Sequence, residues 1–305
     1  MQNISSNEER EVQTLEAINK YVSYFGIIVG CCGVFLNLLS FRTANFLGKY
    51  NSSIVFIKML AIWDSVAVFQ DGFINLGGKI FGFNVANIAF FCRFYHFHSW
   101  GSSYSANFHL VALVIDRFIA IKFPVFYRLK CQPKYAYLAS FMITFLSYLV
   151  SAPAIYLFSK ENGECLMTGN LEFFDWYIQF LTYFIYSSLP FSLIFIFNFY
   201  FIYYLTTMRK IKSSSDRDFQ NRCMTLMLTT VSISFLTFTL SSGVLLTWHF
   251  NTTHETAADV ALDKLLAVLA EIPIVLNSSL NFIFFYLSGK GYRNAAAKMT
   301  SSICS

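Results

Sequence analysis

Polar and apolar positions segregate along this chain on the scale of whole segments. No Asp, Glu, Lys or Arg occurs from Tyr21 to Phe41, Phe94 to Ile115, Tyr135 to Ser159, Trp176 to Met208, Cys223 to His254 or Ile272 to Gly289. A helix crossing the ~30 Å hydrocarbon core needs about 20 apolar residues. Each run reaches that length, the last once Leu265–Ala270 is added. A seventh segment near Ser53–Leu76 is interrupted by Lys58, Asp64 and Asp71, yet Val55–Ile57, Met59–Trp63 and Val66–Phe69 are too apolar for a loop. The runs do not alternate as the ~10-residue strands of a membrane barrel would.

The pattern predicts an all-α membrane protein. Its spans fall near 21–41, 53–76, 90–121, 135–158, 174–207, 220–250 and 262–288, preceded by an outer segment 1–20 and followed by a cytoplasmic stretch 289–305. Composition agrees: 56% of the 305 residues are hydrophobic, 13% are charged, and mean hydropathy is +0.52. Soluble domains are about 25% charged, so lipid must cover the excess apolar surface. The net charge of +5 does not point to nucleic acid, because the basic residues punctuate loops.

Loop charges set the orientation, since Lys and Arg favour the cytoplasmic side. With the N-terminus outside, 16 of the 22 basic residues fall inside beside three acids, and the remaining six fall outside beside eleven. Asp64, Asp71 and Glu271 are left within the membrane. The acidic, polar first twenty residues do not resemble a cleaved signal peptide, so the first span serves as its own insertion signal. Asn3-Ile-Ser5 and Asn251-Thr-Thr253 match the glycosylation pattern and lie outside; Asn51-Ser-Ser53 matches it but lies inside. Of the seven cysteines only Cys92 and Cys165 are outer. They either bridge, tying the 160–175 loop over the bundle mouth, or stay as free thiols in an oxidising compartment, and the bridge is the expectation.

Ionisable groups in a membrane are costly and mark function by default. Asp64 sits in mid-span in Leu60-Ala-Ile-Trp-Asp64, and the seventh span carries Asn277-Ser278-Ser-Leu-Asn281. A carboxylate among amides and hydroxyls suits a hard cation or a shared proton. It suits equally an interhelical hydrogen-bond knot that takes in Asn37. At the other face, Asp116-Arg117-Phe118 ends the third span, followed by Pro124. Arg117 lies 25 residues after Cys92, about 37 Å at ~1.5 Å per residue, a full crossing.

Together these residues resemble the class A, or rhodopsin-like, G-protein-coupled receptors over nearly the whole chain. Asn37, Leu60-Ala-Ile-Trp-Asp64, Cys92 with Cys165, Asp116-Arg117-Phe118 in place of D-R-Y, Pro124, Pro190, Asn277-Ser278-Ser-Leu-Asn281 and Tyr292-Arg293 carry the resemblance in order. It implies a seven-helix bundle with a short amphipathic eighth helix, an outer ligand pocket and an outward swing of helix 6. It further implies coupling to a heterotrimeric G protein through Asp116, Arg117, Phe118 and Pro124, binding of arrestin, and a sodium pocket at Asp64, Asn277, Ser278 and Asn281. Cys304 stands where family members are often palmitoylated, and Tyr292, Ala295, Ala296, Met299 and Ile303 share one face of the eighth helix.

Several family features are absent. Helix 4 has no Trp, helix 6 reads Phe235-Leu-Thr-Phe-Thr-Leu-Ser-Ser-Gly243 without Trp or Pro, helix 7 reads Asn281-Phe-Ile-Phe-Phe285, and Asn198 replaces the helix-5 Tyr. Bends are then expected at Ser241-Ser242-Gly243 and Pro273. Val275 stands where opsins carry the retinal Lys and Ser99 where amine receptors carry Asp, so neither ligand fits. Asp71 and Glu271, with His96, Ser99, Trp100 and Ser103 near the same level and His98 and His249 close by, point to a cationic ligand under an acidic mouth. A short peptide bearing Arg or Lys, such as an amidated Arg-Phe type, fits this pattern, and helices 2 and 3 resemble invertebrate neuropeptide receptors. Alternatively Asp71 pairs with Arg93 or a histidine, Glu271 lies at the rim in water, and the helix-3 Ser and His residues bond within the bundle.

Other classes fit less well. A transporter would show internal repeats and broken helices, a ligand-gated channel of the insect chemoreceptor kind would invert the topology, and an enzyme would show a catalytic motif. A receptor for a non-peptide small molecule stays open. The expected location is the plasma membrane, crossed several times.

Overall fold

A computed structural model describes residues 6–47, 52–82, 88–161, 164–168, 172–173, 176–177, 180–208, 216–250 and 256–304. It is a bundle of long helices: α1 (Ser6–Ala44), α2 (Ser52–Phe81), α3 (Ala89–Lys122), α4 (Pro133–Ser151), α5 (Leu189–Met208), α6 (Asp216–Phe250), α7 (Ala257–Ser288) and α8 (Lys290–Cys304). Among the described residues, α1 to α6 each contain a window apolar and long enough to cross a membrane. The 32 residues of α7 span about 48 Å, and Glu271, Asn277, Ser278, Ser279 and Asn281 interrupt its apolar sequence.

The helices outrun the apolar windows. α1 begins at Ser6 rather than Tyr21 and has 39 residues, about 58 Å long. Charge gaps mark lipid, not helix, and 6–20 carries four Glu together with Arg10, Gln13, Leu15, Ala17 and Lys20, all of which favour helix. Glu8 and Glu9 also complement the helix dipole. α7 starts at Ala257 because Thr256 and Asp259 form a capping box: Asp259 N donates to Thr256 Oγ1 at 3.1 Å, and Thr256 N donates to Asp259 Oδ2 at 2.9 Å. The expected helix 4 stops at Ser151. After one short turn, Ala154–Leu157, the chain forms an antiparallel hairpin, β1 (Phe158–Glu161) and β2 (Glu164–Met167), where a plain loop was expected.

Two segments depart from α geometry. Phe69–Asn75 in α2 and Phe180–Ser188 leading into α5 are π-helical, a form that concentrates at functional sites. In α2, Leu76 N donates to Asp71 O, and the wider turn rotates everything beyond it. By contrast α6 runs unbroken through Ser241-Ser242-Gly243, and α7 through Pro273.

Gly72, inside the π segment, meets α1: a Cβ there would lie 2.9 Å from Gly30 Cα. Small residues let membrane helices approach this closely. α3 packs against α2, α4 and α5, and α1 lies along both α2 and α7. α8 docks through Tyr292, whose hydroxyl donates to Ser40 Oγ at 2.8 Å. Tyr292, Ala295, Ala296 and Met299 are all buried on one face. Arg293 Nη1 closes the end of α7 by donating to Leu287 O at 2.7 Å and Tyr286 O at 3.1 Å. Cys304 is the last residue of α8. Asn3 and Asn251 lie outside the described residues.

Candidate functional site

Cys92, at the outer start of α3, bridges to Cys165 in β2 across a Cα–Cα distance of 5.4 Å. The hairpin is thereby pinned over the bundle, and β1 delivers Phe158 downwards to stack on His96 with ring centroids 3.9 Å apart.

Beneath it lies a cavity of about 480 Å³. Asp71, His96, Ser99, Trp100, Ser103 and Glu271 all line it, contributed by α2, α3 and α7. Asn75, Tyr104, Tyr186 and His249 also contribute, the last from α6. Part of the lining is aromatic, with Trp100 6.0 Å from Phe158 and 6.4 Å from Tyr177 between centroids. Asp71 and Glu271 make another part acidic.

The two acids differ. Asp71 Oδ1 accepts from Ser99 Oγ at 3.2 Å; Arg93, offered as its partner from the sequence, is exposed. Glu271 Oε1 accepts from Lys79 Nζ at 2.9 Å and from Asn75 Nδ2 at 2.8 Å, while its Oε2 is buried without a partner. Glu271 is therefore not a rim residue in water. Lys79, one of the six outer basic residues, thus reaches into the site. Asp71, Asn75 and Lys79 stand at i, i+4 and i+8, a stripe whose rotation depends on the π segment that sequence periodicity does not reveal. His249 Nδ1 lies 2.5 Å from Asp263 Oδ1 and links α6 to α7.

At mid-membrane, Asn281 Nδ2 donates to Asp64 Oδ2 at 2.6 Å, and the Ser278 hydroxyl also hydrogen-bonds this carboxylate. Asn37 Nδ2 donates to Ser278 O at 2.8 Å. Helices 1, 2 and 7 are thus knotted. Asn277, grouped with this set from its spacing, is half-buried and takes no hydrogen bond within it. A sodium ion would find oxygen at Asp64 and Ser278, whereas Asn281 turns its amide nitrogen to the carboxylate.

At the cytoplasmic end Asp116 is 5% exposed. Its Oδ1 accepts from Ser52 Oγ at 2.5 Å, its Oδ2 from Ser53 Oγ and from Tyr127 OH at 3.2 Å, and Arg117 Nε lies 3.9 Å from Oδ2. Ser52 and Ser53 open α2, and Tyr127 lies on the loop helix Pro124–Lys130, begun by Pro124 at its first turn. Sequence reading saw the serines only as part of a glycosylation pattern and a span opening. Burial, seconded by the Asp116 charge, pushes the Tyr127 phenol above its ordinary 10, against the opposing effects of Arg117, Ser52 and Ser53. Phe118 wedges against α5, 5.0 Å from Phe197 and 4.8 Å from Tyr200 between centroids.

A larger groove of about 740 Å³ lies against α2 and α3, but its rims, including Phe69, Phe91 and Phe94, are exposed rings on the lipid-facing side. It brings no charged side chains together.

Comparison with known families decides between the receptor and its alternatives. Residues 43–284 match the 7 transmembrane receptor (rhodopsin family). The chain belongs to this family. The receptor is accordingly a multi-pass plasma-membrane protein, in a family of receptors rather than enzymes. It is 29% identical over 128 residues to galanin receptor 2b of Danio rerio, an alignment covering 39% of this chain and 32% of that one. The match thus spans about a third of the relative's length.

Proposed function

We propose that this receptor binds a short cationic peptide in the outer cavity and activates a heterotrimeric G protein at its cytoplasmic face. One observation carries the reading: six residues from three helices converge on a single cavity whose lining combines two carboxylates with aromatic rings. About 480 Å³ is within the usual range for small-ligand sites and accommodates the end of a peptide rather than its length. A guanidinium or ammonium pairs with Asp71, and an aromatic ring packs against Trp100, His96 and Phe158. The partial similarity to a galanin receptor supports a peptide-like ligand. The likeness to invertebrate neuropeptide receptors and the amidated Arg-Phe pattern belong to the same proposal.

At the other end, Arg117 is the G-protein contact, with Phe118 and Pro124 shaping the surface around it and arrestin sharing that surface. A sodium ion at Asp64 and Ser278 is part of the reading and requires Asn281 to turn its amide oxygen inward. Cys304 is the proposed lipid anchor, and Asn3 and Asn251 are the proposed glycan sites.

The test is nucleotide exchange on purified G proteins, with membranes carrying the receptor and a library of basic, amidated short peptides. Peptide-dependent exchange that disappears in Arg117→Ala supports the proposal. Peptide-evoked current without a G protein would replace it with a channel, and exchange driven by non-peptide amines alone would move the ligand to the small-molecule class.

A further inference from the structure

The cavity contains two carboxylates, yet they are not equivalent. Glu271 already has an ammonium in contact, from Lys79. Of the two imidazoles that line the cavity, His249 pairs with Asp263 and His96 stacks on Phe158. Asp71 has a hydroxyl partner and, among the described residues, no ion pair.

We infer that Lys79 is a specificity-determining residue: a built-in cation that fills the Glu271 half of the acidic wall and leaves Asp71 as the single site for a ligand cation. This deepens the proposed function and rests on its cationic ligand. The geometry gives three reasons. Lys79 lies two turns above Asp71 on one stripe of α2, so its ammonium approaches the same wall that a ligand would. Asn75 donates to the same Glu271 oxygen and holds it in place. Glu271 Oε2 is buried without a hydrogen-bond partner, so once Lys79 is removed the carboxylate keeps only the Asn75 amide and its uncompensated charge is open to a ligand's ammonium. Lys79 itself is one-third exposed, and its substitution leaves the packed interior intact.

A receptor built this way takes a peptide end with one positive charge and gains nothing from a second. The probes are N-acetyl-Arg-Phe-amide, which carries one charge, and Arg-Phe-amide with its free α-ammonium, which carries two. Binding of each is measured by competition on the intact receptor in lipid nanodiscs. The wild-type protein is expected to bind the two within about threefold of one another, and Lys79→Gln to favour the dication by about tenfold, the effect of one added charge-assisted contact. Lys79→Arg restores the wild-type ratio, a result that loss of packing alone would not give.

An unchanged ratio in Lys79→Gln overturns the inference, as does failure of both peptides to bind either protein. Asp71→Asn separates this failure from failure of the ligand reading. If the monocation loses about tenfold or more in Asp71→Asn while Lys79→Gln leaves the ratio flat, only the role of Lys79 falls. If Asp71→Asn has no effect on either peptide, the cationic-ligand reading falls with it.

Discussion

The outer and cytoplasmic ends of this receptor place an aspartate between the same two helices and treat it in opposite ways. Inside, Asp116 of α3 accepts hydrogen bonds from Ser52 and Ser53 of α2 and from Tyr127, with Arg117 alongside. Outside, Asp71 of α2 accepts from Ser99 of α3 at 3.2 Å and faces a cavity. A buried carboxylate with its lone pairs filled is a fastening; one left short of donors is poised for an external cation, because an unpaired charge in low dielectric is costly. The difference separates a latch from a receptor site without reference to any ligand.

Asp116→Ala is the strongest way to break that comparison. It removes the buried acceptor that Ser52, Ser53 and Tyr127 share and the carboxylate beside Arg117, a change of the kind that costs about 3 kcal/mol or more. Thermal unfolding in detergent should show the variant well below wild type, and raised agonist-independent nucleotide exchange is expected as α3 loses its tie to α2. A variant as stable as wild type would mean that the hydrogen bonds to Asp116 carry no net weight.

Tyr127→Phe removes one member of the same latch and should cost about 1 kcal/mol near neutral pH. Its pH dependence sharpens the point. Burial raises the phenol above its ordinary 10, so the folded state favours the protonated form. The stabilisation is complete below pH 10 and lost as pH rises through the raised value. The gap in stability between wild type and Tyr127→Phe should therefore be constant from pH 7 to 9 and narrow above pH 10. A gap independent of pH across that window would place the Tyr127 hydroxyl outside the latch.

Much of this arrangement was legible in the chain because lipid enforces it. Charge-free runs give the spans, since a charge at mid-membrane is excluded unless something inside receives it, and that same rule singles out Asp64, Asp71 and Glu271. The Asp64–Asn281 contact follows from polar side chains in mid-span, which must satisfy one another where no water does. What the chain concealed depends on rotation about helix axes. The π segment at Phe69–Asn75 decides that Asn75 and Lys79 meet Glu271, and no hydrophobic period reports a single widened turn. Ser52 and Ser53 were hidden because small hydroxyls at a helix start look alike whether they cap, face water or bind a carboxylate. Phe158 was hidden because the cavity reaches it only through the hairpin that the Cys92–Cys165 bridge pins down.

The smallest change in stability is expected at the other end of the comparison, in Asp71→Asn. The amide keeps the shape of the carboxylate and an oxygen to accept from Ser99, while removing a charge that has no ion-pair partner among the described residues. Folding stability should stay within about 0.5 kcal/mol of wild type or rise slightly, since relieving an uncompensated charge favours the folded state. Binding of the monocationic peptide should nonetheless fall. That pairing of unchanged unfolding with lost affinity is what distinguishes a site awaiting a partner from a fastening such as Asp116, whose loss lowers stability and raises agonist-independent exchange. Marked destabilisation by Asp71→Asn would show instead that Asp71 is held by the fold as firmly as its inner counterpart, and the distinction between the two ends would collapse.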